Sequence, residues 1–452
     1  MLADGVLIMK IEWRILVLLI VATFVPCWAQ SWELPADRAT VSQAQIEKIL
    51  ADSDYPETSA YTRRIEFLDF NSFGKKFTQV VIRLDPQMPR TRNGKKLVVV
   101  GGEPGSEYGM DFLETVEGKE GMGVWLAKRG VTFIAPTRVG RWNFLDPNGS
   151  WKDIPIGQRM PIFNREQKTP WPSSDYTVEL NPSAAAASAS NVNRFPKPGT
   201  ELYNQMLAGN PITMLRGYAL ALNTIMPPAE RQNSVVLFWG MSTGGAFLYP
   251  LAKYVTPDGY LGWGTSSTGM AYFYRTVKEN NYILPYERSS LRVRERGIPD
   301  FDIYTKGIPQ NVKDAWWQNA LKNPRFKSVE DATMMYGAAA LTEMAARLWM
   351  SDFLPDEDRK PGFANFVSSF VEPSLPPAEL KKTAILDMNG TLDEVLPPSV
   401  VDAQREFMQP HAAKYRVARV EGFHHYLFTQ PSIKVVGSLW LRFIDSGYFD
   451  RK

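Results

Sequence analysis

Hydrophobic residues along this chain follow two rhythms. At 63–70 and 77–84 apolar and polar residues alternate around an Asn71-Ser72-Phe73-Gly74 turn, which predicts a hairpin of half-exposed strands. Unbroken β-branched and aromatic runs stand at 95–100, 131–135 and 235–239. They are too short for helices and apolar on both faces, so they predict buried strands. Helical spacing fills 40–50, 122–128 and 212–225. After a strand beginning near Tyr260 the strand signal vanishes, and helical patterns cover 272–280, 311–321 and 328–350, with Trp316, Trp317 and Trp349 among them. Strands return at 382–387 and 415–420, with an amphipathic stretch at 399–407 between them and a closing helix at 433–444. Buried strands alternating with helices imply βαβ crossovers and a mostly parallel sheet flanked by helices, an α/β architecture.

Two segments break the alternation. The first, about 141–201, is rich in Trp, Pro, Asn and Ser and contains the tract Pro182-Ser183-Ala184-Ala185-Ala186-Ala187-Ser188-Ala189-Ser190. A connection this long inside a compact domain is functional or disordered; an ordered lobe with a mobile Ala/Ser part is expected. The second, 268–378, reads as a helical lobe placed as a cap over a site. The organisation expected is therefore a leader at 1–29, a first core part at 30–267, the cap at 268–378, and a second core part at 379–452.

The leader has the pattern of an export signal. Lys10 and Arg14 precede an apolar run at 15–25, and Cys27-Trp28-Ala29 ends in the small residue that cleavage requires, leaving Gln30 as the new N-terminus. The apolar run is short for a membrane span, so no stable span is expected after cleavage. Cys27 is the only cysteine, so the mature chain has no disulfide, cysteine nucleophile or thiolate metal site. A large cysteine-free exported protein fits a periplasmic or secreted location. The 51 basic and 48 acidic residues nearly balance, which gives no reason to expect a nucleic-acid partner. No paired-histidine zinc motif, phosphate-cradling Gly-rich loop or strand-linked dinucleotide fingerprint occurs, so no cofactor or metal is expected.

Chemistry concentrates where predicted strands stop. The run 235–239 ends abruptly in Gly240-Met241-Ser242-Thr243-Gly244, followed by apolar residues at helical spacing. Glycines two before and two after a serine permit the strained strand-to-helix turn that lifts its Oγ above a sheet. Helix N–H groups then face charge developing on a substrate. Pro250, inside the expected helix, predicts a kink or an early end. A serine hydroxyl needs an adjacent base, and the chain has 3 histidines. His411 lies in a polar stretch between strands, which leaves His424 and His425 after the strand at 415–420. Asp393 follows the strand at 382–387, with Glu394 and Asp387 as fallback acids.

These pieces resemble the α/β-hydrolase superfamily. Ser242, Asp393 and His424/His425 stand in its chain order of nucleophile, acid and base. Asn389-Gly390-Thr391-Leu392-Asp393-Glu394-Val395-Leu396-Pro397 resembles its acid turn, Gly422-Phe423-His424-His425 its base loop, and Gly101-Gly102-Glu103-Pro104-Gly105 its oxyanion loop. The resemblance implies an α/β-hydrolase fold with a helical cap insertion and a Ser-His-Asp triad in which His425 is the base, with His424 as the alternate. It also implies oxyanion donors at the backbone N–H groups of Thr243 and Glu103, and an acyl-enzyme. Gly101 stands where the superfamily usually has a histidine, and the acidic Glu103 must point its side chain away from a developing oxyanion. A serine at the turn, rather than an aspartate, sets this chain apart from the dehalogenase and epoxide-hydrolase branches.

The activity expected is hydrolysis of carboxylic esters of apolar acyl or aryl groups, the aromatic-rich cap favouring such substrates. An aminopeptidase of the same fold is the alternative, and it requires acidic cap residues to hold a substrate amine, for which Glu287, Asp300, Asp302 and Glu343 are the candidates. A hydrolase-like binding protein without catalysis is a third reading, against which the complete triad pattern argues.

Overall fold

The computed structural model describes residues 38–102 except 53, 112–113, 119–137, 139, 163–166, 176–180, 192–196, 200–265 except 210, 242–247, 250 and 253, then 378–393, 401, 405, 408–424 and 431–450. The expected leader, and the expected cap except for its last residue Ala378, lie outside them.

The expected hairpin is built from β2 (Tyr61–Ser72) and β3 (Lys75–Pro86), antiparallel throughout. Phe73 and Gly74 close it with φ of 48° and 70°, the paired positive angles of a turn whose twist matches the strands. β2 is half-exposed, as expected. β3 is not: nearly all of its residues are buried. Its polar residues are paired instead of wetted. Gln79 donates to the carbonyls of Val80 and Thr137 at 2.7 and 2.6 Å. Arg83 reaches Asp85 at 2.8 Å and Glu230 at 2.5 Å. An alternating pattern marks a wet face only when the polar positions have no partners inside.

The helix expected at 40–50 begins later. Thr40 and Val41 close the short strand β1 (Arg38–Val41), and helix α1 spans Gln43–Ala51. Ser42 is its N-cap: the Ser42 side chain accepts from Gln45 N–H, and Gln45 Oε1 accepts from Ser42 N–H at 2.8 Å.

The remaining strands are β4 (Thr91–Arg92), β5 (Lys95–Gly102), β6 (Thr132–Pro136), β9 (Ser234–Met241), β10 (Gly259–Trp263), β11 (Ala384–Gly390) and β12 (Lys414–Val420). Between β6 and β9, β7 (Tyr176–Leu180) and β8 (Val192–Pro196) pair antiparallel as a two-stranded sheet of their own, inside the 141–201 insertion. The main sheet is ten-stranded in the order β1-β12-β11-β10-β9-β5-β6-β3-β2, with β4 beside β5. β6, β5, β9, β10, β11 and β12 run parallel, and β3 is antiparallel to β6. β1 joins at the edge through Val41, whose carbonyl accepts from Glu421 N–H at 3.0 Å.

Helices cover both faces: α2 (Met122–Ala127), α3 (Glu201–Ala208), α4 (Pro211–Ile225), α5 (Pro228–Gln232) and α6 (Ser432–Asp445). On one face Trp239 packs tilted against Trp440 of α6 at 4.9 Å and edge-on against Phe112 at 5.0 Å. On the other, Phe238 meets Tyr260 at 5.6 Å, and Tyr260 meets Tyr249 at 4.7 Å. Successive residues of β9 thus feed opposite cores, which is why its run reads as apolar throughout. Among the described residues no helix is long and apolar enough to cross a membrane.

Candidate functional site

The order of the strands locates a crevice. From β5 the chain moves to β6 on one side, then crosses to β9 on the other and continues through β10, β11 and β12 in the same direction. At such a switch point the connections leave neighbouring strand ends in opposite directions, and the gap beyond their carboxyl ends is where ligands bind in open parallel sheets. β5 and β9 are the neighbours here, and Gly102 is the register partner of Gly240. The Gly101-Gly102 run and the end of β9, just before Ser242 in the sequence, therefore lie side by side at the same level.

Small residues at that level have local causes. A Cβ on Gly101 would crowd the Phe133 ring, and one on Gly262, the β10 partner of Gly240, would overlap the Asp387 carboxylate. Ser242 follows β9 directly, but Ser242, Thr243, Gly244, Glu103, His425 and Glu394 lie outside the described residues. Leu248, Tyr249 and Leu251 are helical and the helix has ended by Ala252; Pro250 is itself outside the described residues.

The loops that follow β11 and β12 are sewn together. Beyond β11, Thr391 N–H donates to Val420 O and Leu392 N–H to Phe423 O, both at 3.0 Å. In return Gly422 N–H donates to Thr391 Oγ1 at 2.9 Å. Asp393 is buried, and its N–H closes a turn onto Gly390 O at 3.1 Å. Gly422 has a φ of 76°, so the chain leaving β12 reverses there with no side-chain clash. His424 is half-buried two residues later. His411 lies before β12, in the 3-10 turn Gln409–His411, at the end of the strand opposite to His424. Sequence reasoning missed Thr391, whose hydroxyl bond crosses between the loops; its place two before Asp393 was the available signal.

Gly390 is the pivot of this junction. A Cβ there would overlap the Phe423 carbonyl, which is backbone and has no rotamer to escape through. Gly390→Ala is expected to destabilise the fold by about 3 kcal/mol, as overpacked sites do. It should also part the two loops, so a thermal melt and a rate measurement on the variant should both fall. A wild-type melting temperature would show that the loops are not in contact.

Asp387, the other described acid candidate, sits differently. It lies inside β11, fully buried, with Oδ2 accepting from Tyr415 OH at 2.8 Å. Burial first, and then the Asp387 charge, push the Tyr249 hydroxyl well above its ordinary value, opposed by a hydrogen bond with Tyr415. Tyr249 therefore stays a neutral phenol on the helical segment that includes Leu248 and Leu251. Asp387 is thus engaged by tyrosines beneath the sheet edge, whereas Asp393 stands beyond it on the loop bonded to the histidine loop. Among the described residues no group of His, Asp and Glu is placed to hold a metal ion.

No family model and no curated protein matches the sequence. Similar solved structures include a soluble variant of monoglyceride lipase from Saccharomyces cerevisiae, at 13% identity over 87% of this chain and 98% of that one, TM-score 0.39. A thermostable carboxyl esterase from Bacillus coagulans is similar at 12% identity over 86% of this chain and 100% of that one, TM-score 0.40. A 2-hydroxy-6-oxo-6-phenylhexa-2,4-dienoate hydrolase from Rhodococcus sp. strain RHA1 is similar at 13% identity over 85% and 100%, TM-score 0.40. The chain itself has a mostly parallel central sheet with flanking helices, an α/β architecture.

Proposed function

We propose that this protein is an exported serine hydrolase that cleaves carboxylic esters of apolar acyl or aryl groups. The observation that carries the reading is the junction of the Asp393 turn with the histidine loop through Thr391, Leu392, Gly422 and Phe423, at the same sheet edge where β5 and β9 end side by side. Ser242 is the nucleophile, His425 the base with His424 as its alternate, and Asp393 the acid that orients the imidazole and stabilises its charged form.

In the reaction, Ser242 Oγ attacks the ester carbonyl carbon while its proton passes to the histidine. The carbonyl oxygen becomes an oxyanion held by the Thr243 and Glu103 backbone N–H groups. Collapse expels the alcohol, which takes the proton from the histidine and leaves an acyl-Ser242. Water, deprotonated by the same histidine, attacks this acyl group, and collapse returns the proton to Ser242 and releases the acid. The mature chain begins at Gln30 and acts in the periplasm or outside the cell.

The test uses the mature protein, a chain-length series of p-nitrophenyl esters, and a fluorophosphonate whose adduct is located by mass spectrometry. Ester turnover with the adduct on Ser242 is the expected result. Cleavage of aminoacyl arylamides in place of esters would assign the peptidase activity. Silence on both, with no adduct in folded protein, would overturn catalysis altogether and leave a binding protein.

A further inference from the structure

We propose that Thr265 is a positioning residue for the nucleophile turn, within a three-residue brace, Trp263-Gly264-Thr265, that holds the reacting segments in one geometry. This rests on the reading of Ser242 as the nucleophile. β10 carries no candidate catalytic residue, yet its C-terminal end touches all three segments that do. Thr265, 1% exposed, donates its hydroxyl to Gly240 O at 2.7 Å. Gly264 N–H donates to Met388 O at 2.7 Å, on the strand that leads to Asp393. The Trp263 ring packs edge-on against Phe423 of the histidine loop, centroids 6.2 Å apart.

Gly240 needs such a partner. It stands two residues before Ser242, in the last register pair that β9 makes with β5 and the last but one with β10, and with no side chain it does little to restrain the peptide plane that leads to Met241. A hydrogen bond to its carbonyl fixes that plane, and with it the direction in which the next turn presents Ser242. Threonine suits the task because its β-branch limits χ1. The geometry requires the φ of 50° at Gly264, which turns the chain back so that the hydroxyl three residues after Gly262 reaches the strand beside it. A nucleophile displaced by about 1 Å loses on the order of 10²-fold in rate. The hydroxyl therefore acts on the chemical step and not on substrate affinity.

The experiment compares Thr265→Val, which deletes the hydroxyl at nearly constant shape, with Thr265→Ser, which keeps it. Both are measured per active site titrated with the fluorophosphonate, so that unfolded protein does not count. In Thr265→Val, kcat and the rate of Ser242 labelling should fall about 10- to 100-fold, with KM within about twofold, and Thr265→Ser should recover most of the loss. Wild-type kcat and labelling in Thr265→Val would overturn the proposal while leaving the nucleophile assignment intact. Equal losses in both variants would overturn it too, because shape and not the hydroxyl would then matter. Should Thr265→Val fail to fold, Thr265→Ala takes its place; failure of both would make the hydroxyl a determinant of folding alone. Labelling of some residue other than Ser242 in the wild type would remove the functional reading itself, and the proposal with it.

Discussion

Ser242→Ala should abolish ester turnover, with a loss on the order of 10⁶ in kcat, the scale at which a serine triad loses its nucleophile. A cysteine cannot stand in for the Oγ, because the chain's one cysteine is Cys27, in the expected leader. KM should change little and the fold should be untouched, since the alanine keeps the small residue that the bend needs. The measurement is single-turnover release of p-nitrophenol beside a thermal melt. Residual activity within about tenfold of wild type would mean that Ser242 is not the nucleophile, whatever the surrounding motifs resemble.

Asp393→Asn should be nearly as damaging, at about 10⁴ in kcat, because an amide holds the histidine in the wrong tautomer and withholds the charge that stabilises the imidazolium. The variant should fold, since asparagine nearly matches aspartate in shape and keeps the backbone bond from Asp393 N–H to Gly390 O. Asp387→Asn is the matched control. Its carboxylate is buried within β11 and bonded by Tyr415, so that variant should lose stability and keep its kcat within a few-fold per folded molecule. Reversal of the two results would move the acid into the strand. The histidine loop would then have to turn toward Tyr415, away from Thr391.

Much of this arrangement is written in local sequence. The runs ending at Gly102, Met241 and Gly390 are apolar because both of their faces are covered, and they stop where small residues let the backbone bend. The acid and base candidates after β11 and β12 could be named for the same reason. Local pattern misled where a long-range partner replaced water. β3 reads as half-exposed because Gln79 and Arg83 are polar, and it is buried with the Gln79 amide donating to Val80 and Thr137 and Arg83 paired with Asp85 and Glu230. The start of α1 was displaced by a capping serine, a local signal outweighed by the apolar pattern around it.

By itself, then, the sequence determined the main buried strands and which residue types stand near their ends, though not the short strands β1, β4, β7 and β8, because propensity and periodicity act over a few neighbouring residues. It could not determine that β5 and β9 are neighbours, that the Asp393 turn and the histidine loop share hydrogen bonds, or that Thr265 reaches Gly240. Those are contacts between segments far apart in the chain. They depend on the order in which strands add to the sheet and on single backbone angles such as those at Gly264 and Gly422. Only the packed sheet brings them within the few ångströms over which a hydrogen bond acts.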